Sequence, residues 1–310
     1  MSARAETYAQ ALLDLADARP DLVVMTAENR AHLRPLPAAL GRRFVDVGIC
    51  EQTLVGAAAG LALRGRVPVV HALAAFLTLR AFEFIRTDVG IGRLPVKLVG
   101  FVPGFLSEAN GPTHQAIDNV AVMRAVPGMQ VFCPADLPEL VEALPAIVAS
   151  PAPAYIRYTG APAAVEHRRP FAIGRAEVLA AEEGVALLTY GPLLAEAERA
   201  RRILAARGVP VSLVNLRTLE PVDEEAILDA AAGAELVVTL EDHFHRGGLH
   251  TIVAETCLAH RLAPRVLAID LGESFFKPAL HPQVLAHEGF TGARLAERVT
   301  DALCRRDADA

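Results

Sequence analysis

Cysteine is scarce and scattered: the 310 residues hold four, at 50, 133, 257 and 304, with no C-x-x-C pair. That spacing gives neither a zinc site nor a disulfide framework, and it points to a reducing cytoplasm. Basic charge is not in excess. Thirty Lys and Arg against 36 Asp and Glu leave a net charge of −6, so no positive field draws in nucleic acid or an anionic membrane. Long apolar runs are missing too. The longest, Thr53 to Leu63, stops at Arg64, short of the roughly 20 residues a helix needs to cross a bilayer. Arg4, Glu6, Asp14, Asp17 and Arg19 interrupt the N-terminal segment, which leaves no apolar stretch of a signal peptide. The expectation is a soluble, cytoplasmic protein that partners neither nucleic acid nor membrane.

What is present is apolar bulk. Hydrophobic residues make up 53% of the chain and the mean hydropathy is +0.33, enough to bury a core and, at this length, to build two domains. Short β-branched runs alternate with helical patterns. Leu22–Met25, Phe44–Val47, Val67–His71, Val96–Phe101, Met129–Cys133 and Tyr155–Tyr158 read as strands, and Glu6–Ala18, Glu51–Leu63, Phe76–Asp88, Gln115–Ala125 and Leu137–Val148 as helices, the last opened by an Asp136-x-x-Glu139 capping box. Around Gly160–Gly174 the pattern stops and a second series begins. Its strands are Val185–Tyr190, Pro210–Leu216, Leu236–Leu240 and Val266–Asp270, and its helices Leu194–Ala206, Asp223–Ala232, Leu249–His260 and Ala293–Cys304. The expected class is α/β: two three-layer α/β/α domains, residues 1–165 and 173–310, the first on a parallel sheet and the second smaller and mostly parallel.

Four features stand out. Phe44-Val-Asp-Val-Gly-Ile-Cys-Glu51-Gln52 runs a strand through a glycine into a carboxylate at the head of a small-residue helix. Glu51 is either a first-turn acid favoured by the helix dipole or an acid walled by apolar groups that shares a proton with a heterocycle nitrogen. Phe76, Leu79 and Phe82, at steps of three, lie on one broad helical face, as core or as a cofactor wall. Asn110-Gly-Pro-Thr-His114-Gln115 forces a turn and sets a histidine before a helical segment, where it caps the helix or meets a ligand. Arg4 and Arg157 either grip phosphate or are solvated charges. The Glu241-Asp-His243-Phe-His245 run has an H-x-H spacing that invites a metal reading, but it sits at a strand end before a glycine turn, and no metal ligand is assigned. Cys50, with a carboxylate beside it opposing a thiolate, reads as packing.

In order along the chain, Gly48-Ile49-x-Glu51-Gln52, Phe76, Gly111-Pro-Thr-His-Gln115, Pro134-Ala-Asp136, Arg157 and Leu216-Arg-Thr-Leu-Glu-Pro-Val-Asp223 resemble the C-terminal half of transketolase, a pyrimidine-binding domain followed by a C-terminal domain. Similar elements occur in deoxyxylulose-phosphate synthases and in split transketolases, where two chains share the enzyme. The resemblance implies thiamine diphosphate as cofactor. It makes Glu51 the acid that hydrogen-bonds N1′ of the aminopyrimidine and favours the imino tautomer that takes the C2 proton, a role that asks for an apolar pocket keeping the acid protonated. Phe76, Leu79 and Phe82 match the cluster that stacks on that ring, with Leu79 where an aromatic is usual. His114 matches a histidine beside the reacting carbonyl, and Arg157 and Arg4 match arginines that hold a terminal phosphate.

Two departures from the family pattern bear on substrate. Asn110 stands where transketolases carry an aspartate that reads the acceptor's α-hydroxyl, and Val102 where they carry a histidine. Both changes weaken the fit to ordinary sugar phosphates and favour a specialised acceptor: deoxygenated, amino-substituted or sulfonated. The family's other half-site is a G-D-G motif followed by an asparagine, which together hold the Mg²⁺ that bridges the diphosphate. No G-D-G occurs in this chain. The resemblance therefore implies a partner, an N-terminal transketolase-like subunit carrying the diphosphate and Mg²⁺ domain, in an α2β2 assembly that moves a two-carbon ketol unit from a ketose to an aldehyde. The competing readings are the β subunit of a 2-oxoacid dehydrogenase, whose turn resembles A-Q-H-S-Q rather than G-P-T-H-Q, and a non-catalytic scaffold of the same fold.

Overall fold

The computed structural model of the chain describes residues 7–309, with side chains through Arg305. Twelve strands run in chain order: β1 (Leu22–Thr26), β2 (Phe44–Asp46), β3 (Val67–Leu73), β4 (Lys97–Phe101), β5 (Gln130–Phe132), β6 (Ala154–Arg157), β7 (Glu177–Ala180), β8 (Val185–Thr189), β9 (Val211–Asn215), β10 (Thr218–Glu220), β11 (Leu236–Leu240) and β12 (Val266–Ile269). They form a seven-stranded sheet, order β10-β5-β6-β4-β3-β1-β2, and a five-stranded sheet, order β12-β11-β8-β9-β7. Every pairing is parallel except β10 with β5 and β7 with β9. The α/β class expected from the alternation is what the chain adopts.

Continuous burial along β1, β4, β8, β9 and β11 explains why these strands read as unbroken apolar runs: helices cover both faces. In the first sheet Val24, Val69, Val99 and Ile156 face Leu12 of helix Tyr8–Ala18 and Leu140, Leu144 and Ile147 of helix Leu137–Ala149. Their strand neighbours Val23, Met25, Val70 and Leu98 face the other way, onto Leu54, Val55 and Ala58 of helix Glu51–Leu63. The second sheet repeats the arrangement. Leu187, Leu213 and Val238 pack on helices Leu194–Ala206 and Gly292–Asp309, while Leu188, Val214 and Val237 pack on Glu224–Ala232 and Leu249–Ala259. That second inner layer is continuous with the first unit's core through Leu216 and Leu219.

Several elements differ from the sequence reading. The helix expected over Phe76–Asp88 is instead a wide π turn over Phe76–Arg80, one α turn at Phe82–Phe84 and a second π segment at Ile85–Gly90. The helix expected from Gln115 starts only at Asn119, because Gly111 sits at φ +83° and Pro112 opens a tight 3₁₀ turn that ends at His114. Strands β7 and β10 carry no apolar run; each is an antiparallel edge, and β10 leaves the second series to pair with Val131 and Phe132 of the first sheet. The expected capping box is half formed: Asp136 Oδ1 accepts the Glu139 N–H at 2.9 Å, while Glu139 Oε2 turns to the Ala135 N–H at 2.7 Å.

Candidate active site

After β1 the chain lays β2 on one side and β3 on the other, and a parallel sheet opens a crevice at the carboxyl ends of strands where its order reverses. Three of the residues singled out by sequence, Glu51, Phe76 and His114, cluster beyond those ends. Beyond β2, Asp46 Oδ1 accepts the Gly48 N–H at 2.9 Å and the Glu28 N–H at 3.1 Å. Gly48 takes φ +73°, a conformation glycine adopts without strain. This turn delivers Glu51 as the first residue of its helix, 2% exposed.

Glu51 is not enclosed by apolar groups alone, as the sequence reading expected. Arg80 Nη1 donates to Glu51 Oε2 at 2.9 Å, and the Arg80 guanidinium carbon lies 4.4 Å from the centroid of the Phe76 ring. Phe76 in turn meets His114 edge-on, centroids 4.9 Å apart and planes at 62°. Small side chains, Ala74, Ala75 and Ala116, back Phe76 and leave its ring room. His114 is held in the turn by its N–H to Gly111 O at 2.9 Å, and its Nδ1 lies 3.0 Å from Thr113 Oγ1. The structure thus assembles a buried acid, an aromatic ring, an imidazole and a guanidinium at one end of the sheet.

The other expected residues fall elsewhere. Leu79 is 47% exposed beside Arg80, and Phe82 packs on the core under helix Glu51–Leu63, so the three-step stripe does not form one wall. The π turn is the reason: its pitch rotates the three side chains away from a common face. Asn110 is exposed, on the same loop as half-buried Val102. Val102 holds φ +51°, a strained setting for a β-branched residue. It borders a cleft of about 1200 Å³ shared with His32, Glu108, Tyr158 and Arg199 of the second unit. Arg4 lies outside the described residues.

Arg157 is 3% exposed at the end of β6, and its Nη1 donates to Asp242 Oδ1 at 2.8 Å. Its Nε and Nη2 have no hydrogen-bond partner among the described residues.

The Glu241–His245 run is absorbed by the fold. Glu241 accepts the N–H groups of Leu249 at 2.6 Å and His250 at 2.8 Å, capping the helix that follows, and burial pushes its carboxyl up to about 8 against those hydrogen bonds. His245 pairs with Asp270 at 2.7 Å. Among the described residues the grouping with metal-ligand geometry is Glu139, His167 and Glu177. Asp136 lies 2.9 Å from His167 Nε2 and Arg217 Nε lies 3.4 Å from Glu139, so the cluster is an ion-pair network.

Sequence reasoning missed Arg80 and His167 and weighed Asp242 only within the H-x-H run. Arg80 could have been found four positions after Phe76 in a segment read as helical; the pairings of Asp242 and His167 carry no local signal, because their partners come from the other unit or a distant strand.

Residues 2–161 match the transketolase pyrimidine-binding domain family and residues 174–295 the transketolase C-terminal domain family. A 6-deoxy-6-sulfo-D-fructose transketolase subunit of a Clostridium species is 33% identical over 303 residues, covering 96% of this chain and 94% of that one. A 1-deoxy-D-xylulose-5-phosphate synthase of a Synechococcus species is 35% identical across 95% of this chain but only 46% of its own length. Among solved structures, a split-gene transketolase described as an inactive β4 tetramer superimposes with a TM-score of 0.86 at 31% identity, covering 96% of this chain and 97% of that one.

Proposed function

The chain belongs to the transketolase family, and from that premise we propose that it is the C-terminal subunit of a heteromeric, thiamine diphosphate-dependent transketolase-like enzyme that transfers a two-carbon ketol unit from a ketose donor to an aldehyde acceptor. The observation that carries the reading is the convergence of buried Glu51 with Phe76 and His114 beyond the strand ends. The donor set fits the cofactor's aminopyrimidine, which needs a carboxyl partner for a ring nitrogen and an apolar face. Glu51 Oε1 has no hydrogen bond among the described residues, while Oε2 is held.

Thiamine diphosphate, when bound, supplies an acidic thiazolium carbon that adds to the donor's carbonyl. Glu51 would hold the proton at the aminopyrimidine N1′, and its burial excludes water from that bond. Phe76 would offer a flat face to the ring, and His114 would stabilise charge or move a proton at the substrate's carbonyl oxygen.

The chain has no G-D-G, so Mg²⁺ and the diphosphate fall to an N-terminal partner subunit, in an α2β2 assembly consistent with two-fold symmetric enzymes. Two relatives that this chain covers almost end to end support this: one is named as a transketolase subunit, and the other is a split-gene transketolase described as an inactive β4 tetramer. We assign residues 1–165 to the pyrimidine-binding domain and 173–310 to the C-terminal domain. The acceptor is a specialised one. Asn110 and Val102 replace a charged and a polar reader, and the sulfonated sugar named for the Clostridium relative is of the expected class.

The test is calorimetric titration of thiamine diphosphate with Mg²⁺ into this chain alone and into its mixture with the product of its neighbouring open reading frame as the candidate N-terminal subunit. Binding confined to the mixture is expected. Tight binding by the chain alone would overturn the half-site, and turnover of xylulose 5-phosphate with ribose 5-phosphate equal to that with any deoxy- or sulfo-sugar would overturn the specialised acceptor.

A further inference from the structure

Arg80 touches both groups that the cofactor reading uses, and the reading gives it no task. Its side chain is 43% exposed, yet its Nη1 ends 2.9 Å from the Oε2 of a carboxylate that is 3% exposed. The same guanidinium lies 4.4 Å over the Phe76 ring. Residues four apart already share a face of an α-helix, and the wider π turn over Phe76–Arg80 brings them closer to alignment. The irregular turn therefore has a geometric result: it stacks Arg80 on Phe76 and points it at Glu51.

Resting on the thiamine diphosphate reading, we infer that Arg80 is the positioning residue for Glu51, fixing Oε2 so that Oε1 is the oxygen presented to the aminopyrimidine nitrogen. Three features support this. Glu51 opens its helix, at a position where no preceding turn of that helix packs against its side chain. Among the described residues no other side chain bonds it. A long acid at a helix terminus has several rotamers, and only one anchored oxygen selects among them. The planar guanidinium also suits a stacked, directed contact better than an ammonium would.

The experiment compares Arg80→Gln, Arg80→Lys, Glu51→Gln and the Arg80→Gln/Glu51→Gln double variant, each assembled with the N-terminal subunit. Cofactor affinity is read by calorimetry, exchange of the bound cofactor's C2 proton by NMR, and the Glu51 rotamer by a crystal structure of the Arg80→Gln chain. The expected result is a displaced Glu51 side chain and exchange slowed about 10- to 100-fold in Arg80→Gln, partly restored in Arg80→Lys, at an unchanged melting temperature. The double variant should be no slower than Glu51→Gln alone, since Arg80 acts through that residue. Additive slowing, an unmoved Glu51, or wild-type exchange in Arg80→Gln would each overturn the inference. So would tighter cofactor binding by Arg80→Gln, which would make Arg80 an occupant that the cofactor displaces. A wild-type complex that binds no thiamine diphosphate would instead overturn the underlying reading.

Discussion

Arg157, at the end of β6, and Asp242, just past β11, form an ion pair 2.8 Å long with both side chains almost wholly enclosed, 3% and 6% exposed. The pair joins the carboxyl edges of the two sheets. Asp242 also accepts the Phe105 N–H at 3.2 Å, and the Arg157 guanidinium lies 5.2 Å from the Tyr190 ring. Arg157, which the sequence offers as a substrate grip, thus also bridges the strand ends of the two sheets through Asp242.

Removing one member of this pair should be severe. Asp242→Asn leaves a buried guanidinium without its counter-charge, a loss of about 3–5 kcal/mol, while Arg157→Met with Asp242→Leu removes both charges and should recover most of it. Chemical denaturation of the three variants checks this. Equal losses for the single and double variants would mean that packing, not the ion pair, holds the junction.

Gly104 is the steric condition for the pair. It sits at φ +56°, and a Cβ there would lie 1.7 Å from Asp242 Oδ2 and 2.5 Å from Arg157 Nη2. Gly104→Ala should therefore destabilise the chain by at least as much as losing the pair, whereas Gly233→Ala, with nothing within 4 Å of its Cβ, should change stability by less than about 1 kcal/mol. Thermal unfolding of the two variants decides it; similar shifts would show that no close approach exists at Gly104.

How much of this was legible follows from what each feature leaves in a linear pattern. Parallel strands buried on both faces leave continuous apolar runs, so β1, β3, β4, β8, β9 and β11 were visible, as was the Asp136 cap. The step from an α to a π turn at Phe76 leaves the spacing of apolar residues unchanged, so the break was invisible, and with it the approach of Arg80 to Glu51. Strand β10 is three residues whose pairing is with another part of the chain. Glu51 and His114 stand out in the sequence because glycine-bearing turns precede them; Arg157's partner does not, because an ion pair across two sheets has no local signature.

The domain junction should respond to alkali. His167 lies 2.9 Å from Asp136, 2.7 Å from Glu177 and 3.8 Å from Glu139, with Arg217 on the far side of the carboxylates. Burial lowers its pKa, but the hydrogen bonds to Asp136 and Glu177 outweigh that and raise it from 6.5 to about 10. A folded-state value above the unfolded one means that the stabilisation is complete below the unfolded value and fades as pH rises through about 10. Melting temperature should fall from pH 7 to 10, and more steeply than in His167→Gln. Parallel profiles would remove His167 as the cause.

Glu51 itself should carry the proton exchange while contributing little to stability. Glu51→Gln keeps the size of the side chain and can still accept from Arg80 no hydrogen bond of comparable strength, since the amide is neutral where the carboxylate met a cation at 2.9 Å. Its Arg80 partner is 43% exposed and can be rehydrated, so the substitution should leave the melting temperature within a few degrees while removing the titratable proton assigned to Glu51. In the complex with the N-terminal subunit, C2 proton exchange should slow by about 10²–10⁴-fold, the usual worth of a positioned acid or base, with a far smaller effect on cofactor affinity, because the diphosphate is held elsewhere. Exchange at the wild-type rate would take the proton from Glu51 and leave it the ordinary first-turn acid that its position also allows.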